Sequence, residues 1–341
     1  MLKRIIFIVS LLCPLWVAAQ HIAIGRRTLN LNDATRNRPV VTEVWYPTND
    51  TYKASDSSYA YPFVHIPFIR DAHLKPQKQP LIMISHGTGG GRVTLEWLAD
   101  ALVEKGFIVA AVDHFGNTYD NKIAIDFVTP WERALDISFA ITQLLNDKDF
   151  GPVIDPNRIG AAGFSIGGFT VIALAGGKID LDAFEKFSHT PEGIKETTVP
   201  EFPNLMSVVK VDEIKALYKK SPDVMDKRIK AFFAISPAMG QGFVNENQVS
   251  RINKPVYLVS AQSDSIAPVK TNAAHFNQLI KGSKLYVVPG KAGHYVFLNE
   301  GVGDFKKNGG MIMNDDPSVD RHAVHKQVGD LAAEFFVDNL K

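Results

Sequence analysis

Arg158-Ile159-Gly160-Ala161-Ala162-Gly163-Phe164-Ser165-Ile166-Gly167-Gly168-Phe169 is the segment around which the rest of the chain is arranged. Its first half is small and apolar and ends at Phe164, as a strand buried on both faces requires. Its second half runs directly into the helix-like Ile166 to Leu174. Between them stands Ser165, inside Gly163-Phe164-Ser165-Ile166-Gly167. This is the G-x-S-x-G spacing of a strained strand-to-helix turn that lifts a hydroxyl above the end of a parallel sheet. Glycines on both sides let strand and helix approach more closely than side chains would allow. A helix starting at Ile166 also aims amide groups and a positive dipole end at any negative charge that forms beside Ser165. A glycine-rich turn without chemistry is the plain alternative, so the partners of Ser165 must be sought elsewhere.

A serine hydroxyl is a poor nucleophile until a base removes its proton, and an imidazole base needs a third group to fix its tautomer. On a sheet of this kind the chain order is Ser, then Asp or Glu, then His, each acid or base lying beyond the carboxyl end of a late strand. The apolar run Val256 to Ser260 is followed by Ala261-Gln262-Ser263-Asp264, and Leu285 to Val288 is followed by Pro289-Gly290-Lys291-Ala292-Gly293-His294. Asp264 lies 99 residues after Ser165 and His294 a further 30 on, room for one strand-helix-strand unit. Alone, a loop aspartate is commonly a turn former and a histidine after glycine commonly a surface residue. Their joint order after the elbow selects them as acid and base. Asp113 and Asp155 are the competing carboxylates, and Asp155, in an Asp155-Pro156-Asn157 turn ahead of the nucleophile strand, is poorly placed.

A tetrahedral oxyanion needs preorganised amides. Ile166 N–H is one expected donor. The other is expected in His86-Gly87-Thr88-Gly89-Gly90-Gly91, the loop after the apolar run Leu81 to Ser85, with Thr88 N–H chosen and Gly87 or Gly89 as neighbours. His86 is expected to hold that loop. No Lys-Ser or Lys-Thr follows the glycines, so they do not read as a phosphate loop. His322 and His325, three apart on the last helix, lack a further clustered ligand and read as a solvated face rather than a zinc site.

The remaining chain supplies the scaffold. Runs His21 to Leu31 and Pro39 to Tyr46 suggest an antiparallel pair on the sheet edge, and residues 48–79 a surface excursion. Helical spacing from Leu95 to Val103, a strand Phe107 to Val112, and a helix from Pro130 to Leu145 alternate up to Ser165. That alternation demands a parallel sheet with right-handed crossovers. The rhythm stops at Gly176-Gly177 and resumes at Ile229. Residues 178–228 are too long for a plain loop and too apolar for disorder, and are expected to form a helical cap. Strands Ala231 to Ile235, Val256 to Ser260 and Leu285 to Val288, a helix near Thr271 to Ile280, and a final helix from about Val319 to Asn339 complete the pattern. The expected fold class is α/β, with a mostly parallel sheet, an antiparallel N-terminal edge and helices on both faces.

Composition excludes several classes of function. In 341 residues, 45% hydrophobic and 21% charged content leaves ample material for a core and excludes disorder. Met1-Leu2-Lys3-Arg4, the apolar run Ile5 to Val17 and Ala18-Ala19 read as a signal peptide cleaved after Ala19, implying a secreted or periplasmic protein. Residues 20–341 are then the working domain. Cys13 is the single cysteine and falls in this leader, so disulfides and thiolate chemistry are excluded from the remainder. Without Lys3 and Arg4 the chain carries 35 basic and 36 acidic side chains, a balance that recommends neither nucleic acid nor an anionic membrane as partner.

Val44-Trp45-Tyr46-Pro47, Ile84-Ser85-His86-Gly87-Thr88-Gly89-Gly90, Asp113-His114-Phe115-Gly116-Asn117-Thr118, Trp131-Glu132-Arg133 through Asp136-Ile137, and Gly163-Phe164-Ser165-Ile166-Gly167-Gly168 together resemble the bacterial α/β-hydrolases described as dienelactone-hydrolase-like. These are similar in turn to the plasma-type platelet-activating factor acetylhydrolases. The resemblance implies an α/β-hydrolase fold, Ser165 as nucleophile, His294 as base, and Thr88 with Ile166 as oxyanion donors. Dienelactone hydrolases themselves use cysteine where this chain has Ser165, so their lactone chemistry does not carry over. In the acetylhydrolase relatives the acid follows the preceding strand, which here reads Ile235-Ser236-Pro237-Ala238; with no carboxylate there, Asp264 is left to serve. The expectation is an exported, cofactor-independent serine hydrolase of carboxylic esters, small or lipid-like. A peptidase of the same fold and a catalytically silent binder are the alternatives.

Overall fold

The computed structural model describes residues 22–53, 56 and 62–341, so the expected leader and Cys13 lie outside the described residues. Nine strands among them form one sheet: β1 (Ala23–Asp33), β2 (Arg38–Thr48), β3 (Phe68–Arg70), β4 (Gln79–Ser85), β5 (Ile108–Val112), β6 (Ile154–Phe164), β7 (Ile229–Ile235), β8 (Val256–Ala261) and β9 (Lys284–Val288). Their order is β3-β1-β2-β5-β4-β6-β7-β8-β9. From β5 to β9 every pairing is parallel, while β2 runs antiparallel to both β1 and β5. This is the expected mostly parallel sheet with an antiparallel N-terminal end.

The outermost position differs from expectation. The β1–β2 pair is not the edge, because β3 adds a short parallel strand beside β1, pairing Ile24 with Phe68 and Arg26 with Arg70. Three residues are too few to show a period, and Phe68 is placed by burial under the Arg26 guanidinium, 4.5 Å from its ring centre. Such a short edge strand also offers little unpaired backbone to another chain.

The helices follow the crossovers: α1 (Glu96–Val103), α2 (Ala124–Val128), α3 (Trp131–Asn146) and α4 (Ile166–Ala175) precede β7. Four more, α5 (Leu181–Ser188), α6 (Pro191–Glu196), α7 (Leu205–Val208) and α8 (Val211–Lys220), occupy the segment between α4 and β7. The C-terminal part carries α9 (Ala273–Leu279), α10 (Gly303–Asn308), α11 (Gly310–Met313) and α12 (Arg321–Asn339). No helix among the described residues is long and apolar enough to cross a membrane.

Alternation along the strands sends side chains to two cores. Leu81 and Met83 of β4 join Ala134, Ile137 and Ile141 of α3 and the apolar body of α4 on one face. Ile82 and Ile84 meet Leu98 and Leu102 of α1 and Val328, Ala332 and Phe336 of α12 on the other. Every residue of α4 is buried, which explains why its sequence is apolar all round rather than striped. Gly160 leaves room for Phe336: a Cβ there would stand 2.6 Å from the phenyl ring. Phe336, fully buried against Phe107, Phe233 and Phe335, is therefore a keystone of the second core. Phe336→Ala is expected to lower unfolding free energy by about 3–5 kcal/mol in urea titration; a loss under about 1 kcal/mol would show that this face repacks freely.

Candidate active site

The turn at the end of β6 is as tight as its glycines suggest. Ser165 adopts φ 57° and ψ −120°, a left-handed backbone that a residue with a Cβ adopts only when its surroundings enforce it. Those surroundings are hydrogen bonds: Ser165 N–H donates to Ile235 O at 2.9 Å, and Ser165 O accepts from Gly168, Phe169 and Ala238 amides. A Cβ on Gly163 would lie 2.2 Å from Gly167 O, and one on Gly167 2.0 Å from Ser85 O. Both contacts are with backbone, so neither position tolerates a side chain without moving the turn.

The structure brings Ser165, His294 and Asp264 into one hydrogen-bonded line. His294 Nε2 lies 3.0 Å from Ser165 Oγ, and His294 Nδ1 lies 2.7 Å from Asp264 Oδ2. All three are nearly closed from solvent, at 7%, 5% and 5% exposure for Ser165, His294 and Asp264. Asp264 sits just past β8, where its second oxygen, Oδ1, accepts from Ile266 N–H at 2.9 Å and Ala267 N–H at 2.7 Å. That grip fixes which carboxylate oxygen faces the imidazole. The Phe164 ring packs 4.7 Å from that of His294. Helices α1 and α12 hold the His294 loop from beneath: Trp97 Nε1–H donates to Phe297 O and His325 Nε2–H to Val296 O, each at 2.8 Å.

His325 thereby departs from the expected solvated face. It is buried, stacked on Trp97 with ring centres 4.4 Å apart, and burial drives its pKa down to about 3, so it serves as a neutral donor. His322 does stay exposed. Among the described residues no group of three His, Cys, Asp or Glu side chains is placed to hold a metal ion. The competing carboxylates are engaged elsewhere. Asp113 pairs with Arg92, and Asp155 with Arg158 at 2.7 Å.

Ile166 N–H at the start of α4 and Thr88 N–H in the glycine loop have no acceptor among the described residues. Gly87 N–H is likewise free, whereas Gly89 N–H is committed to Asn117 Oδ1 at 2.9 Å. The loop's candidate donors are therefore Thr88 and Gly87 rather than Gly89. His86 holds the loop as expected, its Nδ1–H donating to Gly87 O at 2.6 Å while Nε2 accepts from His114 N–H at 3.3 Å.

Beneath the loop lies a second serine-imidazole-carboxylate line that was not anticipated. Ser85 Oγ–H donates to His114 Nε2, and His114 Nδ1–H donates to Asp136 Oδ2, each at 2.9 Å. Ser85, His114 and Asp136 are 1%, 0% and 0% exposed, so no substrate meets them and the line serves to pin the end of β4. Burial, aided by Arg133, Arg38 and Arg36, keeps His114 well below the usual imidazole pKa and hence neutral. The segment carrying α5 to α8 contributes Glu201, whose side chain packs over Gly89 and accepts from Tyr295 Oη–H at 3.1 Å. Burial and the Glu201 charge both push the Tyr295 phenol upward, so it remains a donor. Phe202 adds an edge-on contact with Phe127, ring centres 5.2 Å apart.

A parallel-cored sheet wrapped by helices on both faces, with this serine turn beyond β6, is the α/β-hydrolase fold. It is similar to a ferulic acid esterase from Streptomyces cinnamoneus, superposing with a TM-score of 0.61 over 94% of this chain and 91% of that one at 20% identity. Residues 50–120 match the family model for platelet-activating factor acetylhydrolase, isoform II. The chain is 28% identical over 156 residues to cutinase est2 of Thermobifida alba, covering 43% of this chain and 48% of that one. It is 30% identical over 82 residues to lipase 1 of Moraxella sp. (strain TA144), covering 24% of this chain and 23% of that one. The chain thus spans about half or less of the length of these curated relatives.

Proposed function

We propose that this protein is a serine hydrolase of carboxylic esters, with Ser165 as nucleophile, His294 as general base and acid, and Asp264 as the orienting carboxylate. The observation that carries the reading is the unbroken contact from Asp264 through His294 to the strained Ser165. Similarity to proteins named as a cutinase, a lipase and a ferulic acid esterase supports ester rather than amide substrates.

In the first half-reaction Ser165 Oγ attacks the acyl carbon as His294 Nε2 takes its proton, and Asp264 stabilises the imidazolium. The carbonyl electron pair moves onto oxygen, where Ile166 N–H and Thr88 N–H are the assigned donors, with Gly87 N–H beside them. These amides need no reorganisation as charge develops, and removing a comparable donor costs about 10²–10³ in kcat. Collapse expels the alcohol with the proton from His294, leaving an acyl-Ser165. Water activated by the same imidazole then releases the acid. The residues present require no cofactor for either half.

The segment 178–228 acts as a cap over the site, its Glu201 and Phe202 reaching the glycine loop and α2. Met1 to Ala19 directs export. With Phe202 and Phe127 at this side of the site, uncharged or weakly polar esters fit best. A p-nitrophenyl ester series from acetyl to decanoyl on the mature protein is expected to show turnover, while the matched anilides stay intact. Faster anilide than ester cleavage would favour a peptidase, and inertness towards both would favour a silent binder.

A further inference from the structure

Arg133 of α3 is 1% exposed, yet no carboxylate is bonded to it. Its Nη2–H donates to His86 O, while Nε and Nη1 have no partner. The nearby Asp136 is already occupied by Arg36, Arg38 and His114. Burial lowers the Arg133 pKa to about 9, with Asp136 opposing the shift. A buried cation left this incompletely partnered is destabilising, and replacing such groups by apolar ones is frequently neutral or favourable. Something other than stability therefore accounts for it.

The peptide planes show what it does. In a trans peptide C=O and N–H point in opposite directions, and the described chain contains no cis bond. Arg133 holds the oxygen of the His86–Gly87 peptide, so the Gly87 amide is turned to the opposite side. A Cβ on Gly87 would stand 3.4 Å from Ser165 Cβ, so this backbone lies against the nucleophile. The next peptide is held in the same manner: Gly87 O accepts from His86 Nδ1–H and from Gly90 N–H, turning Thr88 N–H away from them.

We infer that Arg133 is a positioning residue of the oxyanion pocket, orienting the His86–Gly87 peptide through the His86 carbonyl and placing behind the loop a cation to which no carboxylate is hydrogen-bonded. The inference rests on the assignment of Ser165 as nucleophile. Arg133→Met, Arg133→Lys and Ser165→Ala are compared for p-nitrophenyl butyrate hydrolysis and thermal melting. Arg133→Met is expected to lose about ten- to a hundredfold in kcat, less than deletion of a donor itself, with KM within about threefold. Its Tm should stay within about 5 °C of the parent. Arg133→Lys keeps the charge but not the planar fork, and is expected between the two. A folded methionine variant with kcat within about threefold of the parent, or one whose whole loss lies in KM, overturns the inference. If the methionine variant does not fold, the lysine variant is read alone, and undiminished kcat in it has the same force. Activity surviving in Ser165→Ala would instead overturn the underlying assignment, whatever position 133 shows.

Discussion

Ser165→Ala is expected to fall by about 10⁶ in kcat for p-nitrophenyl esters, the scale seen when a triad serine is removed. Its fold should be unchanged. The hydroxyl has His294 as its hydrogen-bond partner, and alanine keeps the Cβ that already sits at φ 57°. The same backbone bonds to Ile235, Gly168, Phe169 and Ala238 hold either residue in that conformation. A loss of activity accompanied by a matched Tm and circular-dichroism spectrum therefore isolates the nucleophile. Turnover near that of the parent would remove Ser165 from the reaction.

Asp264→Asn is expected to cost about 10⁴ in kcat without disturbing the geometry, because it reverses a tautomer. The orientation of the new amide is dictated by its neighbours. Ile266 N–H and Ala267 N–H both donate to Oδ1, so the amide oxygen must remain there and the NH₂ must face His294 Nδ1. Nδ1 then has to accept, which places the ring proton on Nε2, the atom proposed to take the Ser165 proton. Steady-state rates with a short-chain ester report the loss. An asparagine variant within about tenfold of the parent would mean that another group orients His294.

The core of this arrangement was legible because the chemistry writes itself locally. Gly163 and Gly167 are demanded because a Cβ at either would stand 2.2 or 2.0 Å from a backbone oxygen, and such demands show in sequence as glycine. That Asp264 and His294 meet beside Ser165 follows from their order after the elbow and their places past β8 and β9, since a parallel sheet brings successive carboxyl ends to one rim. What escaped depended on tertiary burial. Arg133 and His114 look like any charged helix residue and any post-strand histidine until their surroundings are known to exclude water. His325 carries no sign in its neighbours that Trp97, over 200 residues earlier, will cover its ring. Glu201 lies in a stretch of mixed charge whose path over Gly89 no period announces. The three-residue β3 was invisible for a simpler reason: too few residues to alternate.

The proposed reaction requires that an acyl group be carried on one serine oxygen activated by the imidazole beside it. The direct measurement is a fluorophosphonate probe applied to the folded mature protein, followed by intact mass and peptide mapping. One adduct per chain, located on Ser165 and suppressed in His294→Ala, is the predicted result. Folded protein that stays unlabelled, or an adduct mapped to another serine, would contradict it.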